Sequence, residues 1–208
     1  MKKPARPHPG ALSLGSNVVE LLLPQRRPMI MVDRIESFLP APAPSLEASR
    51  YISANDVFFD GHFPGLHLWP GCLTIEGMGQ TGQLLVTLLA VRQLAAAEGG
   101  DPDAGIEALA NLELGFRLHP GYRAEEGDRL LSRLRGQRPP LAVGAAVDVK
   151  LLQPVFAGQR LDYRATLAGE FGDMVRTDVE ASVAGTVVAR GTMTGALLRA
   201  ARPAVPVR

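Results

Sequence analysis

The chain has 208 residues, of which 46% are hydrophobic and 21% charged, with a formal net charge of +1. That balance excludes an intrinsically disordered chain and leaves no large field to drive binding to nucleic acid or a membrane surface. Cys72 is the only cysteine, which excludes an intrachain disulfide or a cysteine metal cluster and fits a reducing cytoplasm.

In chain order, residues 1–16 read as a disordered tail: Lys2 and Lys3 are followed by a stretch broken by prolines, without a signal peptide's apolar run. Leu21–Leu23, ahead of Pro24 and Pro28, marks a short helix and turn. A strand is expected over Met29–Phe38, then a loop punctuated by Pro40, Pro42 and Pro44, then a second strand over Leu46–Ser53. Asp60–Pro70 resists regular structure. Gly71–Val91 reads as one helix about 30 Å long, and no run of 18 apolar residues occurs that would span a membrane.

From about Arg92 to Pro140 the sequence fits neither neighbour and reads as an insertion. It holds a helix candidate after Asp101-Pro102, with Asp101 as cap and Pro102 at the first helical position. A second candidate is Glu125–Arg135. Beyond it Val143–Leu151, Leu161–Leu167, Val175–Val183 and Thr186–Leu198 alternate with a period of two between short turns, which predicts an antiparallel meander. A helix apolar almost all round needs a wrapper, and a curved sheet is the one available. The expectation is α+β, one domain over residues 17–200, with a second tail at 201–208.

On the helix, Glu76, Gln80, Gln83 and Thr87 share a narrow polar band. Glu76 is its only ionisable side chain from Gly71 to Val91 apart from the thiol of Cys72. A lone carboxylate among glutamines suits the lining of a dry site, where a carboxyl can act as proton donor; an ion pair or a dimer contact is an equal alternative. Gly77, Gly79 and Gly82 each cost about 1 kcal/mol against alanine, which close approach to a sheet would offset. His62, held in Gly61-His62-Phe63-Pro64-Gly65, is a natural general base, or else a hydrogen bond across a tight loop. His67 and His119 read as surface or structural residues, Cys72 as a small buried one. No third ligand is spaced to join His62 and Glu76 around a metal, and no P-loop, dinucleotide fingerprint or nucleophile elbow is present.

The run from Gly61-His62-Phe63-Pro64-Gly65 through Pro70-Gly71 to Leu73-Thr74-Ile75-Glu76-Gly77-Met78-Gly79-Gln80 resembles the signature of 3-hydroxyacyl-acyl-carrier-protein dehydratases without a gap. Leu23-Pro24-Gln25-Arg26-Arg27-Pro28 and Val32-Asp33-Arg34 are similar to that family's first elements, and the likeness covers roughly Leu21–Leu94 and Leu141–Leu198. The resemblance implies a hot-dog fold, dimers or larger assemblies such as a hexamer, and an acyl carrier protein as partner. It also implies that His62 takes the proton from C2 while Glu76 of the partner chain protonates the C3 hydroxyl, with no cofactor. Gly71, opening the helix, is the candidate backbone donor to the thioester oxygen. Phe63, Pro64, Trp69 and Gln80 are expected to line the acyl tunnel. Gln25 replaces the family's usual His, Leu66-His67 replaces a polar residue and proline, and Gly77 and Gly79 replace alanines. Arg123, Arg129, Arg133, Arg135 and Arg138 form either a docking face for an acidic carrier or a solvated helix face. The competing readings are a dehydratase-isomerase, against which Glu76 argues because that subgroup uses aspartate, a thioesterase, and a non-catalytic or co-catalytic acyl-binding subunit of a heterodimer.

Overall fold

The computed structural model describes residues 10–119, 122, 125, 129, 132 and 141–198. Strand β1 (Ala11–Leu14) and helix α1 (Ser16–Leu22) lead into β2 (Arg34–Leu39) and β3 (Ser45–Tyr51). A single 3₁₀ turn, Val57–Asp60, precedes the long helix α2 (Gly71–Ala97), which is followed by α3 (Ala104–Leu118). Four strands complete the chain: β4 (Leu141–Leu151), β5 (Arg160–Phe171), β6 (Met174–Val183) and β7 (Thr186–Leu198). All seven strands form one antiparallel sheet in the order β1-β2-β3-β5-β6-β7-β4.

The sheet curls around α2, which touches β3, β4, β5, β6 and β7. Met78, Leu84, Leu85 and Leu88 on the helix are fully buried, and they meet Leu46, Leu161, Ala165 and Ala181 from the sheet in one core. The expected α+β architecture, a long helix wrapped by an antiparallel sheet, is the observed one. The helix runs six residues past its expected end.

Four boundaries differ from the sequence reading, each for a physical reason. Ala11–Leu14, expected as tail, is a strand: Ala11 pairs with Ser37 and Leu14 with Ile35, and Leu14 is fully buried. Residues 29–33 lie outside β2: Met29 closes a turn on the Arg26 carbonyl, the Met31 amide and the Met29 carbonyl bond to the Gln80 side chain, and the Asp33 amide bonds to the Ser49 carbonyl of β3. The helix after Asp101-Pro102 starts at Ala104, with Asp103 at its cap position, while Asp101 accepts the Asp103 amide at 2.9 Å in a turn ahead of it. Finally, the first part of the expected insertion belongs to the core, since Leu109 and Leu112 of α3 are buried and α3 packs on α1, α2 and β1. Most of the Glu125–Arg135 candidate lies outside the described residues, as do Arg123, Arg133, Arg135 and Arg138 and the segments 1–9 and 199–208; Arg129 is exposed and pairs with Glu125 at 3.4 Å.

One polar cluster fixes the loops before α2. The Arg50 guanidinium bonds to the Ile30 carbonyl at 3.1 Å, to Asp33 at 3.1 Å and to Asp56 at 2.7 Å, and lies over the Trp69 ring at 5.6 Å. Asp33 also accepts the Tyr51 amide at 2.8 Å. Removing the guanidinium would strand two carboxylates and a carbonyl, so Arg50→Ala is expected to lower stability by about 2–4 kcal/mol. The check is a lower urea midpoint at unchanged slope.

Candidate active site

His62 sits in a loop closed on itself: the Phe63 amide bonds to the Leu66 carbonyl and the Leu66 amide to the Phe63 carbonyl, both at 2.9 Å. Gly65, with φ of +80°, permits that closure. The loop is anchored outward by the Trp69 amide to the Val155 carbonyl and by the Ala157 amide to the His67 carbonyl. The His62 Nδ1 lies 2.9 Å from the Leu68 carbonyl. A carbonyl only accepts, so in the neutral ring Nδ1 carries the hydrogen and Nε2 keeps the free lone pair that a base needs. The structural hydrogen bond and the base reading of His62 are therefore compatible: the first enforces the tautomer that the second requires.

His62 opens into a cavity of about 350 Å³ lined also by Trp69, Gly71, Thr74, Leu151, Pro154 and Val188. At its wall begins α2, capped by Pro70, whose carbonyl accepts the Leu73 amide. Gly71, which lines the cavity, opens the helix, so its amide has no intrahelical acceptor and lies at the positive end of the helix dipole. A side chain at Gly71 would run into Leu151, so glycine at the helix start lets Leu151 pack closely against this wall.

Glu76, further along the helix, faces a second cavity of about 250 Å³ between α2 and strands β4, β6 and β7. Ile75, Gly79, Val86, Ala146 and Met193 are among its walls. The Glu76 Oε1 accepts from Gln80 Nε2 at 2.8 Å and from Gln25 Nε2 at 3.4 Å. Neither of the two cavities contains both His62 and Glu76. Strand β4 connects them: Gly144, Ala146 and Val147 border the Glu76 cavity, and Leu151 at the other end borders that of His62.

The remaining sequence candidates separate. Trp69, almost fully buried against Phe58 and Phe59, does line the His62 cavity. Phe63 and Pro64 line neither cavity; both are exposed, and the Phe63 ring stacks on His62 at 4.2 Å. Gln80 borders the Glu76 cavity, yet its amide is consumed by Met29, Met31 and Glu76. It thus lines the cavity, as expected, while its amide holds the Glu76 carboxyl. Gln25 is the residue that sequence reasoning passed over as a mere departure; its contact with Glu76 across 51 positions carries no local signal.

A FabA-like domain model matches residues 23–108, which contain Gln25, His62, Trp69, Gly71, Glu76 and Gln80. The 3-hydroxyacyl-(acyl-carrier-protein) dehydratase FabZ of Latilactobacillus sakei is 39% identical over 88 residues, 42% of this chain and 61% of that protein. The FabZ of Campylobacter curvus is 30% identical over 120 residues, covering 57% of this chain and 75% of that relative. The chain belongs to the FabZ-like dehydratase family. It nevertheless spans about half the length of several curated relatives, such as the FabZ of Polynucleobacter necessarius, matched over 48%. Among solved structures, the dehydratase heterocomplex ApeI:P from Xenorhabdus doucetiae superposes with a TM-score of 0.51 at 17% identity, covering 88% of this chain and 91% of that one. That likeness establishes the fold. Within the FabZ-like family, the glycine at position 77 is accounted for here by the Tyr163 ring that presses against it.

Proposed function

We propose that this chain dehydrates a 3-hydroxyacyl thioester carried on acyl carrier protein, at two composite sites of a dimer. One observation carries the reading: the base and the acid of one chain open into separate cavities, one at the Leu151 end of an edge strand and the other beside its middle residues Gly144, Ala146 and Val147. Among the described residues strand β4 is paired on one side only, with β7, and from Gly144 to Lys150 it is nearly all exposed. From Ala146 to Leu151 the strand rises about 17 Å. Antiparallel pairing of two such strands about a two-fold axis lays the Leu151 end of one chain beside the Ala146 end of the other. His62 of one chain then meets Glu76 of the second.

In that arrangement His62 Nε2 removes the proton from C2. The developing negative charge on the thioester oxygen is met by the first-turn amides of α2 at Gly71 and Cys72. Glu76 of the second chain delivers a proton to the C3 hydroxyl as the carbon–oxygen bond breaks. The products are a trans-2-enoyl thioester and water, and the reverse sequence hydrates the enoyl group.

We place the reaction in fatty-acid or specialised polyene or polyketide synthesis, in the cytoplasm. No described helix is long and apolar enough to cross a membrane. Incubation of the purified chain with a trans-2-enoyl-acyl-carrier protein, followed by intact mass, tests the proposal. A gain of one water is expected. No gain across short and long acyl chains would sink the homodimer reading and favour a chain that completes its site with a different hot-dog subunit.

A further inference from the structure

Helix α2 carries three glycines beyond its first turn, and glycine inside a helix is disfavoured against alanine. Packing accounts for two of them. A Cβ on Gly77 would collide with the Tyr163 hydroxyl, and one on Gly82 would press on Thr177 Oγ1 at 3.2 Å. Gly79 is different. A Cβ there would meet only the end of the Met193 side chain, 3.4 Å from Cε and 3.7 Å from Sδ. That is ordinary contact with a flexible neighbour, so an alanine would fit. What the glycine leaves in place of that methyl group is room in the Glu76 cavity, whose wall it shares with Met193.

The sheet side of this cavity is bare in the same way. Gly144 of β4 and Gly195 of β7 face each other across the ladder, and both line the cavity. A Cβ on Gly144 would meet nothing among the described residues within 4 Å. Ile75, Val86, Val147 and Val175 give the same cavity apolar wall. With the thioester at His62 of one chain and C3 at Glu76 of the other, the carbons beyond C3 run into this space. Gly79 follows Glu76 by about 4.5 Å along the helix axis, about three or four extended carbons past C3.

From these observations we infer that the site takes a methyl-branched acyl thioester, with its branch at C6 or C7 beside Gly79 and Met193. Gly79 is then a residue that sets specificity: the methyl group missing from the helix is supplied by the substrate. An apolar recess that no side chain fills gains from an apolar group that does. The inference rests on the dehydratase reading and names a substrate class within it.

Competition between two substrates in one vessel tests it, because the ratio of products reports the ratio of kcat/KM. The straight 3-hydroxydodecanoyl-acyl-carrier protein is mixed in turn with its 6-methyl and its 7-methyl derivative, and intact mass separates the products. Wild type is expected to turn over at least one branched chain as fast as the straight one or faster. Gly79→Ala returns the missing methyl group to the helix, and Met193→Phe fills the recess from the sheet. Each is expected to lower the branched-to-straight ratio about 10- to 100-fold. A loss of folding or of catalysis that is merely structural would leave that ratio where it was. An unchanged ratio in G79A overturns the inference, and M193F decides the matter in the same way should G79A fail to fold. Wild type that prefers the straight chain over both branched ones also overturns it. Wild type inert toward all three thioesters overturns the dehydratase reading itself, and the substrate class with it.

Discussion

Two inactive variants of this chain are expected to restore each other. His62→Ala removes the proposed base and Glu76→Gln the proposed acid, and each is expected to lower kcat by about 10²–10⁴-fold. If each site takes His62 from one chain and Glu76 from the other, a mixed dimer contains one site lacking both groups and one that is intact. Random pairing of equal amounts makes half of the dimers mixed, so coexpressed or co-refolded variants should recover about a quarter of wild-type activity. The observation behind this figure is the separation of the His62 cavity, at the Leu151 end of β4, from the Glu76 cavity, bordered by Gly144, Ala146 and Val147. Activity no higher than the sum of the two residual rates would mean that each site lies within one chain, and the pairing along β4 would have to be given up.

A second large effect is expected from adding one methyl group to the central helix. In an exposed helix, glycine to alanine would gain about 1 kcal/mol. At position 77 the new Cβ would collide with the Tyr163 hydroxyl and lie 2.5 Å from its Cζ. Tyr163 is fully enclosed and cannot step aside. Gly77→Ala is therefore expected to destabilise the chain by about 1–3 kcal/mol through overpacking. The Tyr163 hydroxyl has no hydrogen-bond partner among the described residues, and burial pushes its ionisation well above the usual phenol range. Tyr163→Phe discards that unsatisfied group, so it is expected to leave stability unchanged or raise it. In the Gly77→Ala background it should recover part of the loss, since the oxygen is gone while the ring edge remains. Thermal or urea melts of the four proteins close the cycle; additive effects would disprove the contact.

These two cases mark what a sequence can and cannot convey. The helix from Gly71 and the meander from β5 to β7 were legible because their patterns are local: near-continuous apolarity in one, strict alternation in the others. His62 and Glu76 were legible because a restrained histidine and a solitary carboxylate are odd in their own neighbourhoods. The β1 strand was not, since four residues beside a proline-rich stretch give too short a period to register, and it exists by pairing with β2. Tyr163 reads as an ordinary inward residue of an alternating strand; only the wrapped sheet brings it to Gly77. The same holds for Gln80, whose place on the polar band suggested contact with substrate. Its true partners, the Met29 carbonyl and Met31 amide, are backbone atoms that no side-chain pattern announces. All of α3 lies in the segment read as an insertion, and its place in the core was not legible because Leu109 and Leu112 find their cover on α1, α2 and β1, elements distant in sequence.

The two borders of the sheet differ in a way that limits how far the protein can grow. At one border β1 is four residues long, with Leu14 buried and α1 and α3 packed against the strand. It offers almost no free backbone. At the other, β4 presents eleven residues with one flank unpaired. A long bare strand invites open-ended polymerisation only when there is a second one to continue the chain of contacts. Among the described residues each molecule has one, and under the proposed pairing a second copy consumes it. The sheet would then close at two copies, and the feature that could otherwise seed a fibril would be spent in making the particle finite.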